Sequence, residues 1–151
     1  MLNVGDMAPE FSLPDQDGNT FSLQAQRGKK VLVWFFPKAS TPGCTDQGCS
    51  LRDHHEQLLE KNVVVVGVSM DSVRRQKTFA TKKEFPFTLI ADEEGVAVRA
   101  FGAWGPKKFM GKEYDGILRS SFLIDEEGKI THVFSKVQTK VHGSDVLVVL
   151  G

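Results

Sequence analysis

Several features that mark specialised classes of protein are scarce in this sequence of 151 residues. It has two cysteines, whereas small secreted scaffolds use about four to eight, so its cysteine content indicates a reducing compartment. Neither sign of charge is in excess, because 19 Lys and Arg balance 19 Asp and Glu. That balance argues against a dedicated nucleic-acid binder and against a basic membrane-surface protein.

Long apolar segments are also absent. The longest apolar runs, 31–36 and 63–68, are far shorter than the ~18 residues that a membrane span needs. The N-terminus lacks a basic start followed by an apolar stretch, so we expect no signal peptide and a cytoplasmic protein. With 40% hydrophobic and 25% charged residues, we expect one domain over 1–151 that folds without disulfides or structural metal.

The pattern of hydrophobic residues predicts an α/β fold. Residues 11–23 alternate apolar and polar around a turn-rich stretch, which predicts a pair of strands. The two long apolar runs are typical of strands buried on both faces. The other predicted elements are helices over 42–60, 72–84 and 93–101, a strand over 87–90, a hairpin of 117–124 with 130–137, and a helix from His142. This order indicates a mixed central sheet flanked by helices.

Both cysteines fall in the helix predicted over 42–60. Thr41 has the N-cap position and Pro42 the first helical position, which places Cys44 in the first turn. Free N–H groups and the positive end of the helix dipole favour an anion there. The thiolate is the nucleophilic form of cysteine, and a helix N-terminus stabilises it. Position alone therefore makes Cys44 a candidate reactive residue.

Helical geometry separates the two cysteines. At about 100° per residue, Cys44 shares the apolar face with Leu51, His55, Leu58 and Leu59, whereas Cys49 falls on the polar side. We therefore expect Cys44 to face the core and Cys49 to face water. We expect His55 to be a hydrogen-bonded core histidine rather than a base.

The cysteines admit other interpretations. A structural cysteine beside an unrelated surface cysteine stays open at this point. A zinc site that recruits His54 and His55 fits poorly, because adjacent helical residues point about 100° apart and cannot converge on one tetrahedral ion. A thioredoxin-like exchanger needs Cys-x-x-Cys, and here four residues separate the cysteines.

The run Pro37-x-x-x-Thr41-x-x-Cys44 resembles the active-site signature of the peroxiredoxins. Thr41-Pro-Gly-Cys-Thr45 followed by Cys49 is similar to the bacterioferritin comigratory protein, or Q-type, subfamily. The likeness covers nearly the whole chain, with further matching blocks at 5–18, 101–105, 109–112, 116–125 and 132–134.

The resemblance implies a thioredoxin-like fold with an N-terminal β-hairpin extension. It also implies reduction of hydrogen peroxide and organic hydroperoxides, with electrons from thioredoxin and with no cofactor or metal, by a protein that we expect to be monomeric. Carried over by position, Cys44 is the peroxidatic and Cys49 the resolving cysteine. Thr41 hydrogen-bonds the peroxide, Pro37 shields the site from water, and Arg119 is the active-site arginine.

Two neighbouring positions bear on the subfamily pattern. Gln47 occupies a position where the family carries Glu or Gln. Gly48 stands where many relatives have Ala, and we expect it to loosen the helix, since Gly costs a helix interior up to about 1 kcal/mol relative to Ala. A thiol–disulfide oxidoreductase and a redox-sensing binding protein on the same fold are the alternative functions.

An intact helix cannot contain a bond between the two sulfurs. Cα atoms five helical residues apart are on the order of 8–9 Å from each other, and a disulfide tolerates at most about 6.8 Å. We therefore expect residues 43–50 to be helical when reduced and locally unwound when oxidised.

Overall fold

The computed structural model describes residues 1–151. Its strands are β1 (Ser12–Pro14), β2 (Thr20–Ser22), β3 (Lys30–Phe35), β4 (Val63–Ser69), β5 (Thr88–Ala91), β6 (Trp104–Phe109), β7 (Lys112–Ile117), β8 (Ser120–Ile124) and β9 (Ile130–Phe134). Its helices are α1 (Pro42–Asp53), α2 (His55–Glu60), α3 (Val73–Lys82), α4 (Val96–Ala100) and α5 (His142–Leu150). None of these helices has the length and apolar character needed to cross a membrane.

A five-stranded mixed sheet forms the centre of the molecule. Its strand order is β5-β4-β3-β8-β9, in which β3, β4 and β5 are parallel and β8 is antiparallel to both of its neighbours. Two separate hairpins, β1–β2 and β6–β7, accompany it. The predicted mixed sheet flanked by helices is confirmed.

Both faces of the sheet are buried, as the continuous apolar runs indicate. Alternate residues of β3 point to opposite faces: Val31, Val33 and Phe35 to one cluster, Leu32 and Trp34 to the other. Phe36, directly after the strand, also belongs to the second cluster. The first cluster packs against α4 and the N-terminal segment, and the second packs against α1, α2, α3 and α5. Cys44 belongs to the second cluster, so one face of the sheet carries the candidate site.

The helix predicted over 42–60 is two helices, α1 and α2. The chain leaves helical geometry at His54 (φ −107°, ψ 7°), whose Nδ1 lies 2.8 Å from the backbone oxygen of Ser50. Because the break turns α2, Leu59 is 55% exposed rather than buried. The hydrogen-bonded core role expected for His55 is wrong. Its half-buried ring packs against Phe87, and burial lowers its pKa.

The β6–β7 hairpin is absent from the sequence-based prediction, which placed one strand over 117–124. The structure instead ends β7 at Ile117 and begins β8 at Ser120. Charged residues on both faces of β6–β7 hide the alternation that normally reveals a strand. The sequence marks this hairpin only by Gly111 in its two-residue turn. Met110 (φ 51°) and Gly111 (φ 80°) both have positive φ there, as a tight hairpin turn requires.

Other predicted elements exist with shorter bounds. The α3 helix begins after Ser72, whose hydroxyl accepts from the Arg75 N–H at 3.2 Å. The α4 helix begins only after Gly95 (φ 72°), because the Asp92 carboxylate accepts from the N–H groups of Val96 and Val98 and holds the preceding residues in a turn.

The C-terminal segment packs on α1. Gly143 donates its N–H to the Ser50 hydroxyl at 2.9 Å, and a Cβ at Gly143 would lie 2.4 Å from the Ser50 carbonyl oxygen. Beside it, His142 is 1% exposed, and its Nε2 lies 2.8 Å from the Ser121 hydroxyl. Burial, helped by the charge of Arg119, lowers the pKa of His142 to about 4. The α5 helix therefore starts on a buried neutral imidazole.

This imidazole should make stability fall in acid. Between pH ~6.5 and ~4 the unfolded chain binds a proton at His142 that the folded chain excludes. Stability is thus fully present above the unfolded pKa and decreases as the pH falls, by on the order of 2–3 kcal/mol at pH ~4.5. Urea unfolding at pH 7.5 and 4.5 should show this loss in the wild type and a clearly smaller loss in His142→Gln.

The matched control is His132→Gln, because His132 is exposed on β9. It should keep the full pH dependence of the wild type. If His142→Gln keeps it as well, His142 is not the group that links folding to protons in this range.

Candidate active site

Cys44 lies in the first turn of α1, directly after the loop that follows β3. It is 0% exposed. Thr41 has extended backbone geometry (φ −81°, ψ 157°) and Pro42 opens the helix, as predicted. The Thr41 hydroxyl makes no cap bond, however, and donates instead to the Lys38 carbonyl oxygen at 2.7 Å. The N-terminus of α1 therefore has no side-chain cap, and its positive dipole end lies beside Cys44.

Arg119 reaches α1 from the connection between β7 and β8. Its Nη1 donates to Gln47 Oε1 at 2.7 Å, and its Nη2 donates to Cys44 Sγ at 3.4 Å. Cys44 and Gln47 are three residues apart and share a helix face, so the rigid guanidinium fork spans both. Gly43 makes room for the fork, since a Cβ there would lie 3.1 Å from Nη2.

No carboxylate neutralises this guanidinium. None of the salt bridges of the structure involves Arg119, and its oxygen partner, Gln47, is a neutral amide. Gln47 is completely buried, and its Nε2 has no hydrogen-bond partner. The positive charge of Arg119 therefore acts on Cys44 without a competing anion at hydrogen-bond distance.

The carboxylate of Asp71, which follows β4, fixes the loop over 37–41. Asp71 is 6% exposed, and its Oδ2 accepts from the Ala39 N–H at 2.8 Å and from the Ser69 hydroxyl at 2.6 Å. Pro37 begins this loop and is partly buried. The sequence did not indicate this role of Asp71, because the contact with Ala39 spans 32 positions.

Cys49 is half-buried, and its side chain packs against the apolar cluster around Cys44. The expectation that it faces water is therefore wrong in part. Both thiols are free. No three His, Cys, Asp or Glu side chains lie together in a way that could hold a metal ion.

Gly48 has a packing role in α1 that the sequence did not indicate. A Cβ at Gly48 would lie 2.4 Å from Phe85 Cζ. The Phe85 ring itself is fixed, because it packs between Phe79 and Phe87 with centroid distances of 4.9 and 5.0 Å. Gly48 thus allows an aromatic ring to lie directly on α1.

This arrangement suits nucleophilic chemistry at sulfur. A helix N-terminus and an unneutralised guanidinium both favour a negative charge, and both lie beside the Cys44 sulfur. The same guanidinium can stabilise negative charge that develops on a reacting group bound to that sulfur, and burial strengthens the effect. The residues expected at the site, Pro37, Thr41, Cys44 and Arg119, come together at one end of β3, with Cys49 farther along α1.

Sequence comparisons place the chain in a known family. A model of the AhpC/TSA family matches residues 4–133. The chain is 51% identical to peroxiredoxin Bcp of Escherichia coli K12 over 146 residues, which cover 97% of this chain and 94% of that protein. It is 41% identical to peroxiredoxin Bcp of Bacillus subtilis 168 over 149 residues, which cover 99% and 95% of the two chains.

Solved structures of similar proteins support the same family assignment. A PrxQ mutant from Xylella fastidiosa matches with a TM-score of 0.93 at 28% identity, over 99% of this chain and 96% of that one. The bacterioferritin comigratory protein of Xanthomonas campestris, studied for alkyl peroxide reduction, matches with a TM-score of 0.87 at 33% identity, over 93% and 89%. The predicted thioredoxin-like fold with its N-terminal hairpin is confirmed. The chain belongs to the AhpC/TSA family and, within it, to the peroxiredoxins of the Bcp type.

Proposed function

We propose that this thiol-dependent peroxidase reduces hydrogen peroxide and organic hydroperoxides at Cys44. The observation that carries the proposal is the Arg119 Nη2 donor 3.4 Å from Cys44 Sγ, at the uncapped start of α1. The thiolate attacks one peroxide oxygen, and the O–O bond breaks. Sulfur is oxidised to the sulfenic acid, and the other oxygen leaves as hydroxide or alkoxide, which takes a proton to give water or alcohol.

The surrounding residues orient this displacement. Arg119 stabilises the thiolate before the reaction and the charge along S–O–O during it. The Thr41 hydroxyl donates its hydrogen bond to the Lys38 carbonyl oxygen. The hydroxyl oxygen is therefore free to accept a hydrogen bond from the peroxide. Pro37 has no N–H to bind water, and its ring shields the thiolate from solvent.

Cys49 completes the cycle in this proposal. Its sulfur attacks the Cys44 sulfenic acid, a disulfide forms, and the sulfenate oxygen leaves as water. A dithiol reductant of the thioredoxin type then reduces the disulfide by exchange. Both cysteines lie within α1, so the disulfide needs no second chain, which supports a monomer. The low cysteine content of the chain also supports a cytoplasmic location.

Disulfide formation requires α1 to open. The helix runs unbroken from Pro42 to Asp53, and residues five apart in a helix are too far from each other for a disulfide. Opening breaks the contacts of α1 with Arg119, Phe85 and Gly143. We propose that residues 43–50 unwind once Cys44 is oxidised.

The cysteine variants test the proposed reaction. With thioredoxin, its reductase and NADPH, Cys44→Ser should show no peroxide-dependent NADPH oxidation, because a serine hydroxyl stays protonated at neutral pH. Cys49→Ser should consume about one equivalent of peroxide and hold a sulfenic acid that dimedone traps at Cys44. Residual turnover in Cys44→Ser would contradict its role. A wild type that reacts only once would indicate a sensor rather than an enzyme.

Arg119 variants test the electrostatic role. In the Cys49→Ser background, Arg119→Ala should move the pH midpoint of Cys44 alkylation upward and slow attack on peroxide about tenfold or more. Arg119→Lys should recover only part of the rate, because an ammonium cannot span Gln47 and Cys44 as the fork does. Unchanged midpoint and rate in both variants would refute the role.

Gly48→Ala tests the opening of α1. The helix gains about 1 kcal/mol from Ala, but overpacking against Phe85 costs about 1–3 kcal/mol, so the closed helix is destabilised overall. Disulfide formation after the sulfenic acid appears should therefore become faster, by about fivefold for a net 1 kcal/mol. Quenched samples analysed by mass spectrometry follow this step.

The control replaces the aromatic ring of Phe85 with a smaller side chain. In a Phe85→Leu background, Gly48→Ala should slow disulfide formation, because only the helix propensity remains. If Gly48→Ala slows the step in both backgrounds, the Phe85 ring yields freely and the packing argument fails. Amide exchange at 43–50 that is equal in both redox states would contradict the opening itself.

A further inference from the structure

Lys107 differs from its neighbours on the β6–β7 hairpin. It is partly buried, whereas Pro106 and Lys108 on either side are exposed. Its side chain runs along the hairpin over Gly116, where a Cβ would lie 3.2 Å from Lys107 Cδ. Its Nζ donates to the Ile117 carbonyl oxygen at 2.8 Å. The Lys107 ammonium could extend into solvent, but it bonds to the hairpin backbone instead.

The bond from Lys107 fixes the segment that carries Arg119. Ile117 is the last residue of β7, and Arg119 follows two positions later. The next residue, Leu118, donates its N–H to the Ala103 oxygen at 2.8 Å and accepts at its own oxygen from the Ser120 hydroxyl at 3.0 Å. Lys107 is therefore the side chain that anchors the start of this connection, before the guanidinium extends to α1.

The surroundings of Lys107 disfavour its charge. Burial lowers the pKa of Lys107, and the positive charge of Arg119 lowers it further, while Cys44 acts in the opposite direction. The ammonium nevertheless stays at the Ile117 carbonyl oxygen rather than in solvent.

We propose that Lys107 is a positioning residue of the peroxidase site, which holds the Arg119 connection through its bond to the Ile117 carbonyl oxygen. This inference rests on the proposed function of Cys44. Without the Lys107 donor, the connection is less fixed and the guanidinium contacts the Cys44 sulfur less often. Removal of the donor should therefore weaken the effect of Arg119 on Cys44.

Other ionisable groups lie around Cys44. Arg119 contacts its sulfur from the β7–β8 connection, and Asp46 and Cys49 lie on α1 itself. His142 at the start of α5 is neutral at the pH of the assay, because its pKa is about 4.

The test compares Lys107→Met with Lys107→Arg in the Cys49→Ser background, which isolates Cys44. Met keeps the aliphatic stem and removes the donor to Ile117, whereas Arg keeps a donor. In Lys107→Met we expect the pH midpoint of iodoacetamide alkylation to rise and the rate of sulfenic acid formation at pH 7 to fall about threefold to tenfold. Lys107→Arg should recover most of both.

Lys108→Met is the matched control, because Lys108 is exposed on the same strand; it should behave as the parent. A Lys107→Met midpoint equal to that of Lys108→Met would overturn the proposal. So would a Lys107→Arg variant as slow as Lys107→Met, since loss of the donor to Ile117 would then not be the cause. A parent that forms no sulfenic acid at Cys44 would instead refute the proposed function.

Discussion

The fork of Arg119 is the interaction on which the site depends. It joins the connection after β7 to the first turns of α1 through Gln47 and Cys44. The sheet makes this contact geometrically necessary, because β8 pairs antiparallel with β3 and places Ser120 opposite Phe35. The residue before Ser120 and the loop after Phe35 therefore lie at the same edge of the sheet. A thiol and a cation far apart in sequence meet there without any long insertion.

The site combines burial with an incomplete set of polar partners. Gln47 is fully buried, and its amide nitrogen has no partner, although a buried unpaired donor costs about 1–3 kcal/mol. Arg119 is half-buried and has no carboxylate partner. Its charge therefore remains available to the Cys44 sulfur that it contacts. Such unsatisfied groups are typical of functional sites, where stability is traded for reactivity.

What could be predicted from the sequence was local. The buried strands, the start of α1 and the place of Cys44 in its first turn depend on short patterns, and all are present in the structure. The contacts that long-range packing decides could not be predicted: the ring of Phe85 on Gly48, the carboxylate of Asp71 on the loop, and the buried His142. The β6–β7 hairpin was missed because it is polar on both faces, and the break at His54 because the helical periodicity continues through it.

The central sheet separates two cores that have different roles. The helices that carry or cover the cysteines pack on one face only, while α4 and the N-terminal segment complete the other face. The proposed opening of α1 would consequently expose apolar surface on a single side of the sheet, and the opposite core would retain its contacts. The oxidation of one sulfur would then disturb one layer of the fold, while the sheet and the opposite layer would remain in place for α1 to pack on again.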